Sequence, residues 1–162
     1  MKKTIYLANP YGFSKQQRAV LLPCIISKLE GMGLEVWEPF RRNNKVAFSD
    51  PDWPYVVANK NFSDVAEADS FFAVLNGCPP DEGVCVEVGM AIALRKPVFF
   101  FRDDIRRCTD NVKYPLNLML FTGLSRDDWF KHYYSSIEDI TDKDKALYKF
   151  ASSGHEVSLL DV

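Results

Sequence analysis

Residues 68–104 read ADSFFAVLNGCPPDEGVCVEVGMAIALRKPVFFFRDD, and no other stretch limits the fold as tightly. An apolar run at 70–75 ends in Asn76-Gly77, and a second at 97–101 ends in Arg102-Asp103-Asp104. Short runs rich in Phe and Val, bounded by turn residues, predict buried strands. Between them, residues 83–94 are long enough for a crossover helix. Strand, helix, strand with both strands buried is a βαβ unit in a parallel sheet.

The predicted crossover helix holds one charged residue, Glu87, with valines on both sides and Gly83, Val84, Met90 and Ala91 as helical neighbours. A helix that is apolar all round is expected to be buried. A buried glutamate is costly unless paired or protonated. Glu87 also falls about one turn into the helix, near the carboxyl end of the preceding strand, where open α/β sheets bind ligands. Asp81 and Glu82 stand just upstream. The residues alone leave two readings: a ligand site around Glu87, or a surface-facing Glu on a helix edge with Asp81 as a helix cap.

A length of 162 residues predicts one domain over 1–162 with a sizeable core. Net charge −2 gives no electrostatic reason to expect a nucleic acid polymer or an anionic membrane as partner. No apolar run approaches a membrane span, and the start, MKKTIYLANPYGF, lacks the apolar core of a signal peptide, so a cytoplasmic location is expected. Cys24, Cys78, Cys85 and Cys108 form no C-x-x-C pair and His132 and His155 are the sole histidines, which argues against a disulfide framework or a zinc site. Cys85 is expected to be a small core residue.

Along the chain, 4–8 predicts the first strand and Asn9-Pro10-Tyr11-Gly12 a turn. Ser14 caps a helix expected over 15–32, kinked or split at Pro23. Residues 34–37 predict a second strand. Residues 38–53 read as a long irregular loop, either a solvated lid or an anion-attracting segment through Arg41, Arg42 and Lys45. Residues 54–68 predict a helix with Val56, Val57, Phe62, Val65 and Ala66 inward, and Asp69 is expected to cap or turn the chain into the third strand. Residues 102–113 are charge-dense and read as a solvated surface loop. Residues 115–123 fit a fifth strand or a short helix, Asp127-Asp128 can cap a helix reaching 140, 142–152 can form another, and 153–162 is a tail.

Three stretches carry a family resemblance. They are Ile5 through Ser14 (IYLANPYGFS), the set Leu75-Asn76-Gly77, Asp81-Glu82-Gly83, Glu87-Val88-Gly89-Met90-Ala91 and Lys96-Pro97, and Tyr114 through Met119 (YPLNLM). In this order they resemble the nucleoside 2-deoxyribosyltransferase family over about residues 3–120. With the patterning above, the expected fold is a single α/β domain: a mostly parallel five-stranded sheet with helices on both faces, flavodoxin-like or Rossmann-like. The absence of G-x-G-x-x-G after the first strand gives no indication of a dinucleotide cofactor.

The resemblance implies an enzyme that cleaves the N-glycosidic bond of a 2′-deoxynucleoside and passes the deoxyribosyl group to a free nucleobase, with no cofactor or metal. It makes Glu87 the nucleophile, Asp81 the acid/base group and Tyr6 the residue that positions Glu87 by hydrogen bonding. It puts substrate contacts at Asn9, Tyr11, Phe13, Asn61, Gly83, Asn117 and Met119. It also implies a homo-oligomer, a dimer or an assembly of dimers, in which the Asn117–Met119 segment reaches a neighbouring subunit's site, and it makes 38–53 a substrate-covering loop. Two rival readings are a hydrolase of deoxynucleoside 5′-monophosphates on the same fold and a non-catalytic nucleotide-sensing module.

Overall fold

The structure is a computed structural model that describes residues 2–153; the predicted tail beyond Ser153 and His155 lie outside the described residues. Five strands, β1 (Thr4–Ala8), β2 (Glu35–Trp37), β3 (Ser70–Val74), β4 (Val98–Phe101) and β5 (Tyr133–Tyr134), form one sheet in the order β2-β1-β3-β4-β5. Every pairing is parallel, for example Tyr6 with Phe71 and Phe72 with Phe99. This is the flavodoxin-like strand order, whose switch point lies between β1 and β3.

The strands alternate strictly between two cores, because successive side chains of a strand point to opposite faces. Ile5, Leu7, Phe72, Val74, Phe99 and Phe101 face α1 (Leu22–Gly31) and α5 (Ala146–Ser152). Tyr6, Ala8, Phe71, Ala73, Val98 and Phe100 face α3 (Trp53–Glu67) and α4 (Glu82–Ala93). Each fully buried Phe contributes about 1.5–3 kcal/mol relative to exposure, so the central strands alone carry a large share of the folding free energy. Helices cover both faces, as expected.

The helix expected over 15–32 runs unbroken over 15–31, and the disturbance expected at Pro23 takes the form of a π-helical stretch, Gln17–Leu21, wound just before α1. Several other expectations are corrected. The 38–53 loop is not irregular throughout, because it opens with α2 (Pro39–Arg42). In α3, Val56 and Phe62 are exposed rather than inward. In α4, the expectation that a helix apolar all round is buried fails: Val84, Val88 and Ala91 are buried, but Val86 is exposed, as is Leu94 just past its end. No helix spans 127–140. That segment folds as a 3-10 turn (Trp129–His132), β5, and a second 3-10 turn (Glu138–Thr141). Tertiary contacts override its helical pattern: Tyr133 and Tyr134 pair with Phe100 and Phe101, His132 Nδ1 meets the Val98 carbonyl at 2.9 Å, and Trp129 packs on Tyr114 and Phe121. Residues Leu118–Phe121 form a 3-10 turn.

The loop after β4 is also not merely solvated. Arg102 is 1% exposed. It continues the β4 register, and its guanidinium donates to the carbonyls of Leu75, Gly77 (2.7 Å) and Arg106 (2.7 Å). A cation buried against carbonyls ties the β3–α4 turn to the β4 loop. Replacing it with Met should leave three carbonyls without their donor and cost about 3 kcal/mol. Urea denaturation of Arg102→Met checks this; an unchanged midpoint would mean the carbonyls find other partners.

Candidate active site

At the carboxyl edge of β1 and β3 the chain must turn tightly, and the turn residues determine how α4 begins. Gly77 has φ +110°, and a Cβ there would lie 2.8 Å from the Pro79 carbonyl oxygen. Glycine is the residue that tolerates both the backbone conformation and the close approach. Asn76 braces the same turn: its Nδ2 donates to the Tyr11 hydroxyl at 2.8 Å, and its Oδ1 accepts from the Asp103 and Asp104 amides. The turn delivers Asp81 to the N-cap of α4, where Oδ1 accepts from the Val84 amide at 3.0 Å. Asp81 is therefore half-buried and a helix cap. A Cβ on Gly83 would stand 3.2 Å from that same Oδ1, so glycine keeps the cap uncrowded.

Glu87 lies just over one turn into α4, and two donors converge on its Oε1. The Tyr6 hydroxyl donates at 2.7 Å from β1, and Asn61 Nδ2 donates at 3.4 Å from α3. Burial pushes the Glu87 pKa up; the Tyr6 hydrogen bond opposes this, the Asp81 charge adds to it, and the Asn61 hydrogen bond again opposes it. The balance leaves the carboxyl pushed up to about 7. Burial and the neighbouring Glu87 carboxylate push the Tyr6 phenol far above its ordinary range, so Tyr6 remains a donor. One further carboxylate nearby is neutralised. Burial works against the charge on Asp64, but bidentate bonds from Arg42 (2.6 Å each) and contacts from Lys60 outweigh it and hold its pKa low.

The structure thus brings Tyr6, Asn61 and Glu87 together, with Asp81 at the start of the same helix. Asn9 sits at the end of β1, buried, and its Nδ2 donates to the Leu7 carbonyl and to Glu38 (3.1 Å each) while its Oδ1 has no partner among the described residues. Tyr11 is buried in the core facing α1, and burial and Asp103 push its hydroxyl up to about 12. Phe13 is exposed and meets Phe40 edge-on at 5.0 Å.

Asn117 and Met119 lie elsewhere. Asn117 caps the 3-10 turn through Oδ1, and Met119 is 65% exposed. Both line a cavity of about 590 Å³ with Cys85, Gly89 and Ile92 of α4. Cys85 and Glu87 are two residues apart, about 200° around the helix, so this cavity opens on the opposite side of α4 from the Tyr6–Glu87 pair.

Sequence reading missed Glu38, Asn43, Asn76 and the Arg42–Asp64 pair. Glu38 is buried, takes the Asn9 amide and caps α2 by accepting from the Arg41 amide at 2.8 Å. Its one sequence signal is the Pro that succeeds it, since Pro favours the first helical position. Arg42 is not available to an anion: besides holding Asp64 it lies 4.0 Å over the Trp37 ring.

The family profile described as nucleoside 2-deoxyribosyltransferase matches residues 5–119. A nucleoside deoxyribosyltransferase of Limosilactobacillus fermentum is 32% identical, over 75% of this chain and 76% of its own. A solved 2-deoxyribosyltransferase from Bacillus psychrosaccharolyticus superposes with a TM-score of 0.66 at 25% identity, covering 90% of this chain and 95% of that one. One from Leishmania mexicana, at 23% identity, shares the fold with a TM-score of 0.67 over 94% of this chain and 99% of that one. A profile match over most of the chain, joined to a relative this similar over three quarters of both sequences, shows that this chain belongs to the nucleoside 2-deoxyribosyltransferase family.

Proposed function

We propose that this protein transfers the 2-deoxyribosyl group from a 2′-deoxynucleoside to a free nucleobase through a covalent intermediate on Glu87. The observation that carries the reading is the half-buried Glu87 carboxylate with both of its donors, Tyr6 and Asn61, on Oε1. Oε2 is then the atom for attack. It forms a bond to C1′ while the C1′–N bond breaks and its electron pair leaves with the base. Asp81 supplies the proton that the departing base takes up, and recovers it when the acceptor base attacks C1′ and displaces Glu87. Tyr6 and Asn61 hold the ionised form of a carboxylate that burial alone would protonate. Shielding from water favours capture of the sugar by a base over hydrolysis.

Arg42, weighed as an anion ligand, is held instead by Asp64 at 2.6 Å. That engagement supports deoxynucleosides over their 5′-monophosphates. Asn9, Tyr11 and Phe13 belong to the segment after β1 and Gly83 to the first turn of α4, and in this reading these segments enclose the nucleoside. Asn117 and Met119, on the far side of α4, would serve a neighbouring copy's site in a homo-oligomer; the exposed Met119 and the apolar cavity beside it support that arrangement.

Deoxyinosine with excess adenine should yield deoxyadenosine faster than free deoxyribose appears. Glu87→Ala should stay folded and lose several orders of magnitude in rate. Release of deoxyribose 5-phosphate from a monophosphate, without base exchange under saturating adenine, would replace the transferase by a hydrolase.

Because attack needs the ionised carboxylate, kcat/KM should rise about tenfold per pH unit below the Glu87 pKa near 7 and level off above it. Stability runs the other way. A carboxyl raised on folding binds more protons folded than unfolded, so its contribution is full below the unfolded value near 4.5 and is lost as pH rises through about 7. Glu87→Gln should therefore gain on the wild type by on the order of 2 kcal/mol between pH 5 and pH 8. Thermal melts across that range measure it, and a pH-independent difference would contradict the assignment of that titration to Glu87.

If sites are shared, mixing Glu87→Ala with Asn117→Ala subunits should restore activity through hybrid sites. Full activity from a strictly monomeric protein would exclude sharing.

A further inference from the structure

We propose that Asn43, in the loop after β2, is a positioning residue for Glu87, acting by fixing which end of the Asn61 side-chain amide faces the carboxylate. The inference rests on the reading of Glu87 as the nucleophile and adds to it a residue that touches neither substrate nor Glu87.

The Pro39 backbone carbonyl can only accept a hydrogen bond. Asn43 Nδ2 donates to it at 2.9 Å, which fixes the Asn43 amide with its nitrogen inward. The same Nδ2 donates to Asn61 Oδ1 at 2.9 Å. Asn61 must then present its oxygen to Asn43 and its Nδ2 to Glu87, 3.4 Å away. Orientation passes from a main-chain oxygen through two amides to a carboxylate. Without Asn43, the Asn61 amide is free to reverse and set a carbonyl oxygen against Glu87, which favours the protonated, non-nucleophilic acid.

Asn43 is 5% exposed, and its Oδ1 has no partner among the described residues. A buried amide with an unsatisfied acceptor is unfavourable for stability alone, which suits a residue retained for the direction of its donor. The loop carrying it is anchored by Glu38, which caps α2 and holds Asn9, and by the Arg42–Asp64 pair. The groups that face Glu87 are therefore Tyr6 from β1, Asn61 from α3 and Asp81 from the start of α4. Asp64 and Glu38 act on Tyr6 rather than on Glu87 directly.

The test reads Glu87 itself, with no dependence on the reaction: the side-chain carboxyl carbon of Glu87, monitored by NMR against pH in the free protein. Asn43→Leu should move the titration midpoint up by about half a pH unit or more, and Asn61→Ala should do the same. The double variant should match Asn61→Ala alone, because without Asn61 nothing carries the effect. Asn43→Ala, which removes the same donor without adding a charge, should also move the midpoint up, and it serves if Asn43→Leu does not fold. The pH profile of kcat should shift in parallel, with KM changing less than about threefold. An unchanged midpoint in both Asn43 variants, or an Asn43 effect that persists in the Asn61→Ala background, overturns the relay. Absence of base transfer by the wild type would instead overturn the functional reading and leave the titration result standing.

Discussion

The hydrogen bond from the Tyr6 hydroxyl to the Glu87 carboxylate, 2.7 Å long, is the contact on which the arrangement of this chain turns. A carboxylate removed from water is unfavourable by several kcal/mol unless donors replace its hydration. The fold supplies two donors, from β1 and α3, and sets the height of the carboxylate they meet. The phase of β1 turns Tyr6 to the face covered by α3 and α4, and the pairing of β1 with β3 seats it beside Phe71, ring on ring at 5.5 Å. The Asp81 cap sets the start of α4, and so the height of Glu87 above the sheet. Asn61 reaches across from α3. The residual burial leaves the Glu87 carboxyl pushed up to about 7, within the range in which it changes charge near neutral pH.

Precision at the carboxylate depends on loops, and both nearby loops are held by buried polar groups rather than by apolar packing. Arg102 gathers the carbonyls of the β3–α4 turn, and Asn76 links that turn to Tyr11 and to the start of the β4 loop. On the other side, Glu38 and Asn43 fix α2, while Arg42 and Lys60 neutralise Asp64 so that a second carboxylate does not act uncompensated on the site. Hydrogen bonds of this kind add little net stability each, yet leaving one unmade is expensive, so they act mainly to define a single geometry.

The outer face of α4 has a different character. Val86 is exposed, and Cys85, Gly89 and Ile92 line an apolar cavity with the 117–122 segment. Glu87 lies across the helix from it. One helix therefore presents a carboxylate inward on one edge and an apolar surface on another, so its apolar residues serve two different surroundings rather than one continuous core.

The sequence by itself determined the parallel sheet, the βαβ unit and the singular status of Glu87. Runs such as SFFAVL and PVFFF are apolar at almost every position, and in water such runs are satisfied by a sheet covered on both faces. A single charge among valines on a helix of that unit stands out for the same reason, and the family motifs carried the expectation that Tyr6 would pair with it. Tertiary structure decided the rest. The segment after Asp127 has a helical pattern, but Tyr133 and Tyr134 complete the sheet edge and gain pairing that a helix cannot supply. Arg102 reads as one of a charged run and is instead buried in full, because strand register carries it inward. Glu38 and Asn43 look like loop polarity. Their roles arise from partners 29 and 18 residues away along the chain, Asn9 and Asn61, and hydrogen bonds between such distant residues leave no periodicity in the sequence for any local pattern to reveal.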